Sequence, residues 1–126
     1  IEINLQEQYF KGGVKTKAGK GRIVPIHPAI SSFVQSLPKS FKSNSFRKQF
    51  GRCLRGLGIS SVNGKKHSPH DCRHTFSWLC DKYHVDDLSK HLLMGHSLGS
   101  DVEKSVYGHR TLEELRTEIC KIQAPV

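Results

Sequence analysis

The segment "HSPHDCRHTF", residues 67–76, combines the signals of a helix start with several chemically active side chains. Ser68 is a favourable N-cap residue, and Pro69 suits the first helical position, where its missing N–H costs nothing. Asp71 falls at the third helical position and can close a capping box with Ser68. The segment therefore predicts a helix over 69–83.

The same helix start carries a histidine and an arginine on one face. His70 and Arg73 are three residues apart, so they are neighbours in the first turn. A helix N-terminus attracts anions, and an arginine fork can bind two phosphate oxygens at once. This arrangement predicts a phosphate-binding site, although a plain surface cation and a polar capping residue are the alternative interpretation. The side chains expected to face the core are Phe76, Leu79, Cys72 and Cys80.

A zinc site is a further alternative for this region. Its spacing matches no common zinc pattern, since zinc sites usually present two close pairs of ligands. The candidate ligands are His70, Cys72, His74, Cys80 and His84.

Composition and charge favour a globular protein with a polyanionic partner. The 126 residues suffice for one domain, 1–126, and no apolar run approaches the ~20 residues of a membrane helix. Lys and Arg number 20 against 11 acidic residues, a formal charge of +9 that favours DNA or RNA over a merely basic protein. Four cysteines without a CxxC pair indicate free thiols in a reducing compartment.

The remaining periodicities predict an α+β fold that is mainly α, with a small antiparallel sheet near the N-terminus. Residues 1–5 alternate like a strand, and "GGVKTKAGKGRIVPIHP", residues 12–28, reads as a basic hairpin with Val14 on its first arm. A loop with a turn at Asn63-Gly64 follows the second helix. Besides 69–83, helices are expected at 28–36, 44–57, 86–94 and 112–122, the last opened by the capping box Thr111–Glu114.

The second of these helices is amphipathic in its spacing. Phe46, Phe50, Leu54 and Leu57 recur on one face. The opposite face carries Arg47, Lys48, Arg52 and Arg55.

Two further motifs follow the quoted segment. "HLLMGHS", residues 91–97, ends a helix in Gly95 and presents His96 just beyond it. Tyr107 lies eleven residues later, within "SVYGHR".

Together the motifs resemble the catalytic domain of the tyrosine recombinases, the phage-integrase family. "TKAGKGRIVPIHP", "SPHDCRHTF", "HLLMGHS" and "VYGH" come in the family's order and span residues 16–109. The resemblance implies a site-specific recombinase that acts on double-stranded attachment sites as a homotetramer, without a cofactor or metal. It also implies a bacterial or phage-encoded protein of the cytoplasm, associated with the nucleoid.

The resemblance implies a role for each matched residue. Tyr107 would attack a DNA phosphodiester and form a 3′-phosphotyrosyl bond, while Lys17 would protonate the leaving 5′-oxygen. Arg73, His70 and His96 would hold the phosphate. Tyr107 as a half-buried aromatic residue and His96 as a helix-end cap are the alternatives. Candidate DNA-contact residues in the hairpin are Lys15, Lys20 and Arg22.

This chemistry fits the residue types independently of the resemblance. A phenol needs neighbouring cations or a base to favour its phenolate. The pentavalent phosphorane is dianionic, so fixed cations stabilise it more than the ground state. The covalent intermediate keeps the bond energy, so strands can be rejoined without ATP.

Three departures from the family qualify these expectations. No arginine precedes Arg22, so the family's first catalytic arginine is missing, and we expect an N-terminally truncated, weak or inactive fragment without the DNA-clamping domain. The eleven-residue spacing from His96 to Tyr107 implies a longer tyrosine loop. The helix at 112–122 could pack on its own domain or on a neighbouring protomer.

Two other functions share this fold or chemistry. One is a non-catalytic DNA-binding module, and the other is a type IB topoisomerase, which relaxes supercoils by the same chemistry. The HxxRH start and the YxH end fit integrases better than topoisomerases.

Overall fold

The computed structural model describes residues 1–13, 17, 19–38, 40, 42–97 and 109–124. The chain divides into two compact units, the sheet unit (Ile1–Ser36 and Leu79–Val126) and the central unit (Leu37–Trp78). The described residues form the predicted α+β fold, mainly α, with a small antiparallel sheet near the N-terminus.

Three short strands build the antiparallel sheet of the sheet unit. They are β1 (Glu2–Asn4), β2 (Tyr9–Gly12) and β3 (Arg22–Pro25), in that order across the sheet. Phe10 of β2 pairs with Ile3 on one side and with Val24 on the other. The basic hairpin therefore has its first arm at Tyr9–Gly12, earlier than predicted, while Val14 lies outside the described residues.

The five α-helices of the described chain lie close to their predicted positions. They are α1 (Ser31–Gln35), α2 (Ser43–Gly56), α3 (Pro69–Lys82), α4 (Asp87–Met94) and α5 (Leu112–Ile119). The predicted helix at 28–36 begins instead as a 3-10 turn, Pro28–Ile30, and α5 ends before the predicted residue 122. The predicted capping box of α5 is confirmed, because Thr111 and Glu114 exchange both bonds.

The loop predicted after α2 contains a short hairpin in the central unit. Strands β4 (Ser61–Val62) and β5 (Lys65–Lys66) pair around the predicted Asn63-Gly64 turn. Both turn residues have positive φ, 50° and 76°. A type I′ turn requires this conformation, and Asn-Gly is its preferred sequence.

The core of the sheet unit forms where α4 and α5 pack on β3. Its buried apolar side chains include Ile26, Val34, Cys80, Val85, Leu93, Met94, Leu115 and Ile119. Because Leu115 and Ile119 are buried there, α5 packs on its own chain. Arg116 adds to this docking by donating from Nη2 to the Glu7 carbonyl at 2.6 Å and from Nη1 to the Gln8 carbonyl at 3.3 Å.

The apolar side of α3 is largely as predicted. Cys80 is fully buried, and Phe76 and Leu79 are half-buried. Burial raises the pKa of the Cys80 thiol to about 11. Cys72 is exposed, so its predicted place in the core is wrong; it lies between Asp71 and Arg73 in the first turn of α3. All four cysteines are free thiols.

None of the helices among the described residues has the length and apolar character needed to span a membrane.

Asp86 links the start of α4 to α5. Its carboxylate accepts from the Ser89 N–H at 2.9 Å and from the buried Ser89 hydroxyl at 2.6 Å, and lies 3.5 Å from Arg110. Its own N–H donates to Glu118 of α5 at 2.8 Å. Burial raises the pKa of Asp86, but the Ser89 hydrogen bonds and the Arg110 charge outweigh it and leave the pKa below 3.8, its ordinary value.

We expect Asp86→Ala to lower the free energy of unfolding at pH 7 by about 1–2 kcal/mol, because it removes the N-cap acceptor. A lowered folded-state pKa stabilises the fold above the unfolded-state pKa, and this contribution is lost as pH falls through the folded-state value. The difference between wild type and variant should therefore shrink below about pH 4. Urea unfolding at pH 7 and pH 3, with Asp87→Ala as a control in the same turn, measures both effects; an unchanged difference at pH 3 would contradict this account.

Candidate functional site

The start of α3 is fixed by one half of the predicted capping box. The Ser68 N–H donates to Asp71 Oδ2 at 2.6 Å. This bond lowers the pKa of the Asp71 carboxyl, and the nearby imidazole of His67, 3.4 Å away, acts in the same direction. The Asp71 N–H donates to the Ser68 carbonyl instead of completing the box. The carboxylate thus locks the conformation that presents the next side chains.

His70 and Arg73 share the first turn of α3, as predicted. His70 is exposed, and its ring meets the His74 ring edge-on, with 4.8 Å between centroids. Arg73 is half-buried. A histidine and a planar guanidinium spaced in this way can donate several hydrogen bonds to one oxyanion.

In the sheet unit, the turn of the basic hairpin lies against the C-terminal end of α4. Arg22 Nη1 donates to the Met94 carbonyl, one of the helix-end acceptors, at 3.3 Å. Gly95 adopts φ 65° and closes the helix with N–H bonds to the last turn. A Cβ on Gly95 would collide with Arg22 Nη1 and would lie 3.0 Å from the Cα of Gly19.

This junction brings the hairpin turn to the segment that carries His96. The His96 N–H donates to the His91 carbonyl at 3.0 Å, and the two rings lie edge-on with centroids 5.9 Å apart. The His96 side chain is exposed, as are Lys17 and Lys20 of the turn. Lys20 follows Gly19 and His96 follows Gly95, so a cation and an imidazole flank this contact and can attract a phosphate.

The close approach at Gly95 escaped sequence reasoning. The glycine was identified only as a helix cap, and Arg22 only as a DNA-contact candidate. In the structure Arg22 also holds the hairpin against the end of α4, through its hydrogen bond to the Met94 carbonyl. Nothing in the sequence around Gly19 or Gly95 indicates that these two distant glycines approach each other in the fold.

We expect Gly95→Ala to lower the free energy of unfolding by more than the ~1 kcal/mol of a left-handed alanine, because the new methyl group also displaces the Arg22 guanidinium. Gly64→Ala is the matched control, since Gly64 has φ 76° and no atom within 4 Å of its Cβ position. Thermal unfolding of both variants separates the two effects. Equal losses of stability in the two variants would contradict the close contact between Gly95 and Arg22.

The candidate residues fall into one group in each unit. His70 and Arg73 belong to the central unit, while Lys17, Lys20, Arg22 and His96 belong to the sheet unit. Tyr107 and Lys15 lie outside the described residues.

The zinc alternative finds no support in the described part of the chain. There, no three His, Cys, Asp or Glu side chains are grouped as a metal site requires.

Compared with protein-family models, with curated proteins and with solved structures, the chain matches none of them.

Proposed function

We propose that this chain is the catalytic part of a site-specific DNA recombinase of the tyrosine type, with Tyr107 as its nucleophile. The proposal is supported by the order of the four motifs along the sequence. The observation that carries it is the junction at Gly95, where the turn of the basic hairpin is fastened beside His96. The hairpin and the HLLMGHS motif are far apart in sequence, and a shared phosphate site requires them to meet.

The first step is a transesterification at phosphorus. The Tyr107 phenol gives its proton to a water molecule, and its oxygen attacks the scissile phosphodiester. The bond from phosphorus to the 5′-oxygen breaks, and that oxygen takes a proton from Lys17. The products are a 3′-phosphotyrosyl bond and a free 5′-hydroxyl, so atoms and charge balance without an external reactant.

Side-chain donors stabilise the charge that builds during this step. Arg73 bonds the non-bridging oxygens with its planar fork. The resemblance assigns further hydrogen bonds to phosphate oxygens to His70, three residues before Arg73 on α3, and to His96. Donors fixed before the reaction need no reorganisation as the phosphorane forms.

The second step is the reverse reaction with a different strand. A 5′-hydroxyl of the partner duplex attacks the phosphotyrosyl bond and displaces Tyr107. Because the intermediate retains the bond energy, rejoining requires no ATP. Exchange between two duplexes calls for a homotetramer on DNA attachment sites, in the bacterial cytoplasm at the nucleoid.

A non-catalytic DNA-binding module is the second candidate. It is favoured by the formal charge of +9, because a basic chain attracts DNA whether or not it cleaves it.

Nicked duplexes that trap the cleaved product test the proposal even if cleavage is slow, because the product accumulates over hours. Each duplex of the pool carries a nick close to a randomised sequence. Cleavage then releases a short fragment with a 5′-hydroxyl, and its loss prevents rejoining. We expect a protein–DNA band on a denaturing gel, and sequencing of the attached strands then yields the preferred site. No band, together with DNA binding in a mobility-shift assay, would favour the non-catalytic module.

A further inference from the structure

We infer that the central unit contains a second phosphate-binding site, distinct from the candidate catalytic residues, that binds the backbone of a nucleic-acid strand. The site is a cavity of about 190 Å³ between α2 and the β4–β5 hairpin. A water molecule occupies about 30 Å³ of liquid, so the cavity has room for a tetrahedral oxyanion with some of its waters. Its lining residues are Gly51, Leu54, Arg55, Ser60, Ser61, Lys66 and His67.

Backbone hydrogen bonds fix the two walls of this cavity. The Gly58 N–H donates to the Arg55 carbonyl at 3.1 Å, which folds the chain back at the end of α2. The His67 N–H donates to the Ser60 carbonyl at 3.0 Å, and Ser61 pairs with Lys66 in the β4–β5 ladder. The backbone that carries the lining side chains is therefore held by local hydrogen bonds.

The cavity presents cations and hydroxyl groups without a carboxylate. Among the described residues, neither Arg55 nor Lys66 forms an ion pair. Ser60 and Ser61 add hydroxyl donors, and the His67 ring borders the cavity. A guanidinium, an ammonium and two hydroxyls around one space are the donor set that phosphate oxygens prefer.

The central unit has a large excess of positive charge. By sequence, residues 37–78 hold nine Lys or Arg residues and one acidic residue, Asp71, so this unit has a formal net charge of +8, against +9 for the whole chain. The Asp71 carboxylate already accepts from the Ser68 N–H and lies beside His67. The charge of this unit therefore favours an external anion as the ligand of the cavity.

A nucleic-acid strand fits the surroundings better than a single free anion. Exposed cations continue from the cavity along α2 and β5, and repeated phosphates would neutralise several of them together. They are Arg47, Lys48, Arg52 and Lys65. Only the choice of DNA as the strand rests on the proposed function; the anion site does not.

The test measures binding of the full 126-residue chain to a random-sequence duplex by fluorescence anisotropy between 50 and 300 mM salt. We expect Arg55→Gln and Lys66→Gln each to weaken binding by about tenfold near 0.1 M salt and to reduce the slope of log K against log salt by about one. Lys121→Gln is the control, because Glu118 already neutralises this lysine at 2.7 Å. Circular dichroism checks that each variant is folded.

A second titration with inorganic phosphate, followed through the His67 ring signals in NMR, separates the two sources of phosphate. A response to free phosphate with unchanged DNA affinity in the folded variants would overturn the assignment to nucleic acid. Unchanged DNA affinity without a phosphate response would overturn the site itself. Since neither experiment involves strand cleavage, failure of the proposed recombinase chemistry would leave a positive result intact.

Discussion

Tyr107→Phe is expected to abolish covalent capture of DNA while leaving DNA binding within about twofold of wild type. The substitution removes the phenol oxygen, which is the only atom of the ring that can form the phosphotyrosyl bond. Binding depends on the cations of the chain and not on this hydroxyl. Denaturing gels of the trapped complex measure capture, and mobility shifts on the same duplex pool measure binding.

Tyr83→Phe is the matched control for this experiment. Tyr83 lies just after α3, with the Lys82 ammonium 5.4 Å from its ring centroid, a contact that phenylalanine keeps. Capture should survive in this variant. Persistent capture in Tyr107→Phe would show that another residue is the nucleophile, and equal loss in both variants would point to a defect in folding.

Arg73→Ala is expected to slow covalent capture by about 10²–10³-fold, the usual effect of losing one preorganised donor to a developing oxyanion. Arg73→Lys should recover part of the loss, because lysine keeps the charge but cannot form the bidentate contact. Rates of trapped product at saturating protein separate this effect from weaker binding. The ratio of the capture rates of Arg73→Lys and Arg73→Ala shows how much of the effect comes from the charge and how much from the bidentate contact.

Lys82→Ala controls for the loss of one positive charge from the same helix. Lys82 lies at the other end of α3, and its substitution should leave the capture rate within a few fold of wild type. A rate for Arg73→Ala that equals the Lys82→Ala rate would make Arg73 an ordinary surface cation. The phosphate site predicted at the start of α3 would then have to be abandoned.

Local signals in the sequence sufficed for most of the fold. The Asn63-Gly64 turn, the Gly95 cap and the Thr111 capping box each depend on contacts within a few residues, and each is confirmed. The helices follow because apolar spacing and caps agree. The β4–β5 hairpin was missed because two-residue strands of Ser, Val and Lys show no alternation to detect.

Contacts between distant segments were beyond local reasoning. Nothing near Arg116 indicates that its guanidinium will bind the Gln8 carbonyl, more than a hundred residues away. The same holds for the approach of Gly19 to Gly95. Cys72 was misplaced because helical spacing predicts a face of the helix but not how far the neighbouring elements extend over it.

The candidate site divides in the same way. Sequence reasoning supplied the chemical identities of His70, Arg73 and His96, since residue type and motif order require no coordinates. It did not find the cavity beside Arg55, because the lining residues come from a helix end and a hairpin that only the folded chain brings together.

The measurement that tests the account most directly is mass spectrometry of the trapped protein–DNA complex after digestion with protease and nuclease. We expect one modified peptide, with a nucleotide joined through its 3′-phosphate to the Tyr107 oxygen, and a free 5′-hydroxyl on the released strand. A nucleotide on any other residue, or a bond through a 5′-phosphate, would contradict the assignment of Tyr107 and of the reaction that we propose for this chain.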